Sequence, residues 1–170
     1  MSLVNTISRL VTYDSLSFEN FRKGLERRGW EEAVKDRGIA HDSFKNTMVH
    51  ILNVHEWLLV GGAQGKTELW SKPTRKQVDV RSWSELRLYR SLVWKEIEPL
   101  MAGLTESRLH RPVKVPWLPG KYDLEALFFQ ASFEQAHHLG EIIGAYWQIN
   151  VAPPQMMWIP TLLKRKVSVR

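Results

Sequence analysis

The sequence predicts an all-α protein: a four-helix bundle with a long crossover between its second and third helices and a short C-terminal helical segment. Four stretches of about 20 to 30 residues carry apolar side chains at helical spacing, and Gly or Pro follows each of them. The one long connection between them is the polar stretch at residues 63–80. Long amphipathic helices bury their apolar stripes against one another in a bundle. We expect a single domain over residues 1–170.

The first two helices are predicted at residues 5–28, ended by Gly29, and at residues 42–60, ended by Gly61 and Gly62. The second helix begins at His41 or Asp42. Residues 30–40 are charged and include a glycine, so they are expected to be a connection with room for a short helical turn.

The third helix is expected from Ser82, where the sequence SWSE matches a capping box, to residue 101. Pro99 is expected to end or kink it. Prolines at positions 112, 116 and 119 then mark a loop with a short extended piece at residues 113–115. The fourth helix spans residues 122–149 with Asp123 as its cap, and the segment MMWIPTLL is expected to pack across the bundle end.

Composition limits the chemistry. The chain is 44% hydrophobic with eight Trp, which is ample for a core, and it has no Cys. Any metal must therefore bind to His, Asp or Glu, and the absence of Cys fits a reducing cytosol. The sequence has no signal-peptide pattern and no apolar run long enough to span a membrane, so we expect a soluble, cytoplasmic protein without a membrane partner.

The net charge of +6 raises the alternative of nucleic-acid binding. The basic residues cluster in two places, at residues 22–28 and at residues 164–170. The sequence has no zinc-finger spacing, Gly-rich phosphate loop or aromatic RNA-binding signature. Charge alone does not favour nucleic acid as the partner.

Glu134 and His138 are the first candidate metal ligands. They lie four residues apart on the apolar side of the fourth helix, close enough to bind one ion together. A buried hydrogen bond between them is the alternative, because polar groups in a core need a partner. A metal site needs a further ligand, and the second helix offers His50 and His55. These two are about 140° apart around a helix, and periodicity does not choose between them.

Two segments carry a resemblance to a known family. The sequence HILNVHEW at residues 50–57, followed by FEQAHHLGE at residues 133–141, resembles the two motifs of the DinB/YfiT-like metal-dependent four-helix bundles. The resemblance implies that His50, Glu134 and His138 bind a divalent metal ion. Three positions depart from the family pattern: Glu134 replaces a usual His, Leu139 a usual Arg and Glu141 a usual Gln.

The resemblance also implies a function. Family members with assigned activity include thiol transferases and hydrolase-like proteins, so we expect a metal-dependent enzyme of this kind with a low-molecular-weight thiol as a co-substrate. The metal would be zinc, nickel, manganese or iron. His55 and His137 are candidates for lining the pocket, and a homodimer is expected. The alternative is a stress-related binding or structural bundle that has no catalytic activity.

Overall fold

The computed structural model describes residues 2–156 and confirms the all-α prediction. The principal elements, in chain order, are α1 (Leu3–Glu26), α2 (Trp30–Val34), α3 (Phe44–His55), α4 (Trp83–Ala102), α5 (Glu106–Leu109), β1 (Pro112–Val113), β2 (Tyr122–Asp123) and α6 (Leu124–Gln148). A π-helix, Glu56–Gly62, continues α3 without interruption. Two 3₁₀ turns, Thr67–Trp70 and Gln77–Asp79, lie in the crossover that leads to α4.

One apolar core joins the four long helices. It takes side chains from one face of each helix, including Phe18 of α1, Met48 of α3, Tyr89 of α4 and Phe128 of α6, all fully buried. Burying a side chain of this size contributes about 1.5–3 kcal/mol, so the core stabilises the bundle without any bound ligand.

Side-chain caps fix most helix starts. Ser43 Oγ accepts a hydrogen bond from the Asn46 amide, and Ser82 Oγ accepts one from the Glu85 amide, as the SWSE motif predicts. The prediction for Asp123 is wrong in detail. Asp123 occupies the N-cap position of α6 but makes no side-chain cap bond, and its carboxylate lies 3.5 Å from His110 Nδ1 instead.

The π-helix is the main departure from the predicted second helix. In this segment the Trp57 carbonyl accepts a hydrogen bond of 2.7 Å from Trp70 Nε1, in the crossover. Glu56, which is buried, accepts bonds from the Thr74 amide and the Tyr89 hydroxyl. The π-helix therefore holds the crossover against the bundle.

The remaining predictions about the fold had different outcomes. The turn expected after α1 is the short helix α2. The extended piece expected at residues 113–115 overlaps strand β1 only at Val113, and β1 pairs antiparallel with β2. Pro99 lies inside α4, which ends three residues later. The C-terminal segment MMWIPTLL falls almost entirely outside the described residues.

None of the helices between residues 2 and 156 is long and apolar enough to cross a membrane.

Candidate metal centre

Three elements bring histidines together at one side of the bundle. His50 lies on α3 and His138 on α6, at the edge of the buried stripe of each helix. His41 comes from the turn before α3. A β-bridge between Ile39 and Asp42 closes this turn, and Asp42 has a left-handed backbone with φ of 63°. The turn folds His41 back over α3.

The three imidazoles are in mutual contact. The His41 and His50 rings stack with centroids 3.8 Å apart, and the His138 centroid lies 4.6 Å from that of His50 and 5.0 Å from that of His41. One ring nitrogen from each residue lies within 4.8 Å of the other two. Nitrogens bound to one tetrahedral zinc ion are about 3.3 Å apart, given bonds of ~2.0–2.1 Å. The stacked His41 and His50 rings have nearly parallel planes, so they would have to turn for the lone pairs of both to meet at one ion.

Two of the three rings have lowered pKa values. Burial and, to a smaller extent, the neighbouring His41 and His138 lower the pKa of His50 to about 3. Burial and His138 also lower the pKa of His41, against the opposite effect of Glu141, Asp42 and Glu134. A histidine binds a metal through the lone pair of a neutral ring, so the lowered pKa values of His41 and His50 favour the form that a metal requires.

Two carboxylates flank His138. Glu141 Oε2 lies 2.7 Å from His138 Nδ1 and accepts its proton in a hydrogen bond. That bond selects the tautomer with a lone pair on Nε2, as carboxylates do for many metal-binding histidines. Glu134 Oε2 lies 3.5 Å from His138 Nε2, and Gln130 donates a 2.7 Å hydrogen bond to the other Glu134 oxygen. Nε2 thus faces a carboxylate and can bind a cation.

The structure brings the three predicted metal ligands close to one another but adds a fourth residue. His50 and His138 come together as expected, and Glu134 lies beside His138 with its side chain about one third exposed. His41 was not among the predicted ligands, although its ring is the nearest neighbour of His50. It lies before the helix, where periodicity gives no information. Nothing in its spacing from His50 or His138 indicates a shared site.

The two pocket candidates have different surroundings. His137 is exposed, and its Nε2 lies 3.8 Å from Glu141, so it contacts the edge of the cluster. His55 lies elsewhere, buried in the core with its Nε2 3.8 Å from Asp14 Oδ2. Its Nδ1 faces the Ile51 carbonyl at 3.0 Å and must therefore carry the proton of that bond. His55 belongs to a separate polar cluster.

That polar cluster ties α1 to α6. Ser132 donates a hydrogen bond to the Asp14 carboxylate, and Gln135 donates bonds of 2.8 Å to the Asp14 carbonyl and to Ser17 Oγ. All four of these residues are buried. Within this cluster, His55 Nε2 and Gln135 Oε1 have no hydrogen-bond partner.

A third His/carboxylate group lies at the start of α6. His110, Asp123 and Glu125 are close enough to share an ion, but His110 and Asp123 are more than half exposed. Water and salt screen such a group, so it is a surface ion pair.

The fold and the site together define a helical bundle with a cluster of three histidines that could bind a divalent ion. The family model described as the DinB superfamily matches residues 20–142. The chain belongs to the DinB superfamily, as the two sequence motifs predicted. A search of curated proteins found no match.

Proposed function

We propose that this chain is a metal-dependent DinB-type enzyme that binds one divalent ion through His41, His50 and His138. The observation that supports this most strongly is the contact between three imidazoles from three different segments. The sequence-based set of His50, Glu134 and His138 shares two of these ligands. In our proposal Glu134 lies beside the ion and supplies a fourth donor atom, a carboxylate oxygen. His41 supplies the third histidine nitrogen in place of the histidine that the family usually has at residue 134.

The donor set bears on the choice of metal. Three imidazoles favour zinc, nickel or iron, whereas manganese prefers a site richer in oxygen. The adjacent Glu134 oxygen keeps iron(II) and manganese among the candidates. Metal identity is therefore a matter for elemental analysis.

The chemistry that we propose is thiol transfer or hydrolysis. A bound divalent ion with an open position would lower the pKa of a coordinated thiol or water and thereby supply a nucleophile. The chain has no Cys, so a thiol would have to come from a small-molecule co-substrate. Glu141 accepts the hydrogen bond from His138 Nδ1 and thereby orients the ring, with Glu134 Oε2 3.5 Å from Nε2.

The exposed side of the cluster gives such a molecule access. His137 is exposed, Glu134 is partly exposed, and the Trp57 ring meets His50 edge to face at 6.0 Å. A substrate would contact an aromatic wall on one side and the two polar groups on the other. This combination suits small molecules with both apolar and polar parts.

We also propose a cytoplasmic homodimer. The resemblance supports a dimer, as do Trp side chains beyond those that the core uses, such as Trp117 and Trp147, both more than half exposed.

Metal analysis of the purified protein, followed by a screen with common cellular thiols, tests the proposal. A stoichiometric divalent metal with thiol-dependent turnover would support it. A protein that stays metal-free after incubation with zinc, nickel, manganese and iron(II) would instead favour the alternative of a binding or structural bundle.

A further inference from the structure

The ends of α1 and α6 enclose a pocket that the histidine cluster does not use. Its volume is about 330 Å³. Arg27 and Arg28, which directly follow α1, line one side of it, and Tyr146 of α6 lines another. The chain after α6, residues 151–154, forms the remaining wall. The pocket therefore combines two cations, a phenol and an apolar wall that contains two prolines.

Two residues of α1 hold this wall in place. A Cβ atom added at Gly24 would lie 2.5 Å from Pro154 Cγ, so the absence of a side chain at Gly24 lets the proline pack against the helix. One turn earlier, Asn20 Nδ2 donates a hydrogen bond of 2.9 Å to the Gln155 carbonyl. The pocket is thus fixed by contacts between distant parts of the chain.

The two arginines carry positive charge that no carboxylate neutralises. Arg22, on the turn before them, forms an ion pair with Glu26, whereas Arg27 and Arg28 form no ion pair in the described part of the chain. Arg28 Nε is buried and has no hydrogen-bond partner among the described residues, and the guanidinium lies 5.8 Å from the centre of the Tyr146 ring. The negative end of the α1 dipole favours cations at this place, but it does not provide an acceptor for a buried donor.

The hydroxyl of Tyr146 independently points to a ligand. Tyr146 is 2% exposed, and its hydroxyl has no hydrogen-bond partner within residues 2–156. Buried hydroxyls are nearly always paired, because an unpaired one costs stability. Burial raises the pKa of this hydroxyl, and the charges of Arg28 and Arg27 act in the opposite direction. The hydroxyl therefore keeps its proton at neutral pH and can donate it in a hydrogen bond.

We propose that this pocket, which we call the arginine pocket (Arg27, Arg28, Tyr146, Pro153 and Pro154), binds a small molecule that carries a phosphate monoester. The two guanidinium groups would donate charge-assisted hydrogen bonds to the phosphate oxygens, and the Tyr146 hydroxyl would donate one more. Two cations without a carboxylate partner attract a dianion more strongly than a monoanion. The prolines suit an apolar group attached to the phosphate.

The position of the pocket makes this site independent of the proposed metal. Tyr146 comes eight residues after His138, which corresponds to about 12 Å along the axis of α6. The pocket also favours a small molecule over nucleic acid, which binds through a row of cations that follows successive phosphates. Only two cations line this pocket.

Isothermal titration calorimetry with phenyl phosphate tests the arginine pocket. The titrations use about 0.15 M salt, which screens contacts with isolated surface cations. We expect wild-type protein to bind one molecule of phenyl phosphate per chain, and inorganic phosphate and the monoanion benzoate to bind more weakly. The affinity for phenyl phosphate should be the same in His50→Ala, because the proposed metal takes no part in this site.

Three variants identify the residues involved. Arg28→Gln and, separately, Tyr146→Phe should each raise the dissociation constant for phenyl phosphate about tenfold or more, because each removes a hydrogen bond to a charged group. Lys23→Gln is the matched control, since Lys23 is an exposed cation of α1 that does not line the pocket, and it should leave the constant unchanged. Without ligand, the thermal midpoint of Tyr146→Phe should equal or exceed that of the wild type, because the lost oxygen has no partner in the fold.

Several results would overturn the proposal. No binding at millimolar phenyl phosphate would refute the pocket, as would an equal loss of affinity in Lys23→Gln and Arg28→Gln. Loss of binding in His50→Ala would place the phosphate at the histidine cluster instead. Benzoate that binds as tightly as phenyl phosphate would refute the preference for a phosphate dianion, and an oligonucleotide that binds more tightly than phenyl phosphate would refute the small-molecule class.

Discussion

Removal of the Asp14 carboxylate should destabilise the bundle strongly. Asp14 is 2% exposed and His55 is 1% exposed, and His55 Nε2 has no hydrogen-bond partner while its nearest charged group is Asp14, at 3.8 Å. Ser132 also loses its acceptor when the carboxylate is removed. Leaving a buried polar group without its partner costs about 1–3 kcal/mol, and here Ser132 and His55 are both affected. For Asp14→Ala we expect a loss of about 3 kcal/mol, which in a chain of this length lowers the thermal midpoint by about 10 °C.

Urea unfolding followed by far-UV circular dichroism measures this loss. Asp14→Asn keeps an acceptor for Ser132 but removes the charge, so its loss should lie between those of the wild type and Asp14→Ala. Glu96→Ala is the control, because Glu96 and Lys66 form an exposed ion pair whose removal costs at most about 1 kcal/mol. If Asp14→Ala lost no more stability than Glu96→Ala, the reasoning from buried polar partners would be refuted.

Three further predictions concern the histidine cluster. His50→Ala or His138→Ala should each abolish metal binding while the circular dichroism spectrum stays helical, because the core is independent of the site; full metal occupancy in either variant would show that the residue is not a ligand. Glu134→His should retain metal and shift preference towards zinc, nickel or copper, whereas Glu134→Ala should only weaken binding in competition assays; equal affinity in wild type and Glu134→Ala would exclude Glu134 as a donor. The metal-free protein should lose stability as the pH falls from about 6.5 to about 3, since the pKa of His50 is lowered to about 3 in the fold and the unfolded chain therefore takes up the proton first. His50→Gln should flatten this part of the stability profile, and an unchanged profile would contradict the assignment to His50.

Local sequence signals predicted most of the fold. Ser82 and Gly29 marked real helix ends, because capping and termination depend on neighbouring residues alone. Gly61 and Gly62, which were expected to end the second helix, lie inside the π-helix instead. The π-helix Glu56–Gly62 was not predicted, since the bonds that hold it come from the distant residues Trp70, Thr74 and Tyr89. Asp123 has the right residue type for a cap but lies beside His110 in space.

Only the site residues that lie on helices could be predicted from the sequence. His50 and His138 follow from motif and spacing on α3 and α6. His41 depends on a turn held by the bridge between Ile39 and Asp42, and no periodic pattern describes such a turn. The hydrogen bond from His138 to Glu141 at i,i+3 is compatible with helical spacing, but side-chain orientation decides it.

Metal content after reconstitution tests the central claim most directly. Wild type, His41→Ala, Glu134→Ala and the control His110→Ala would be incubated with zinc, freed of excess metal and measured by elemental mass spectrometry. We expect one ion per chain in the wild type and in His110→Ala, reduced occupancy in Glu134→Ala and the lowest occupancy in His41→Ala. A wild type without stoichiometric metal would contradict a metal centre, and full occupancy in His41→Ala with loss in Glu134→Ala would show that the ligands are His50, Glu134 and His138.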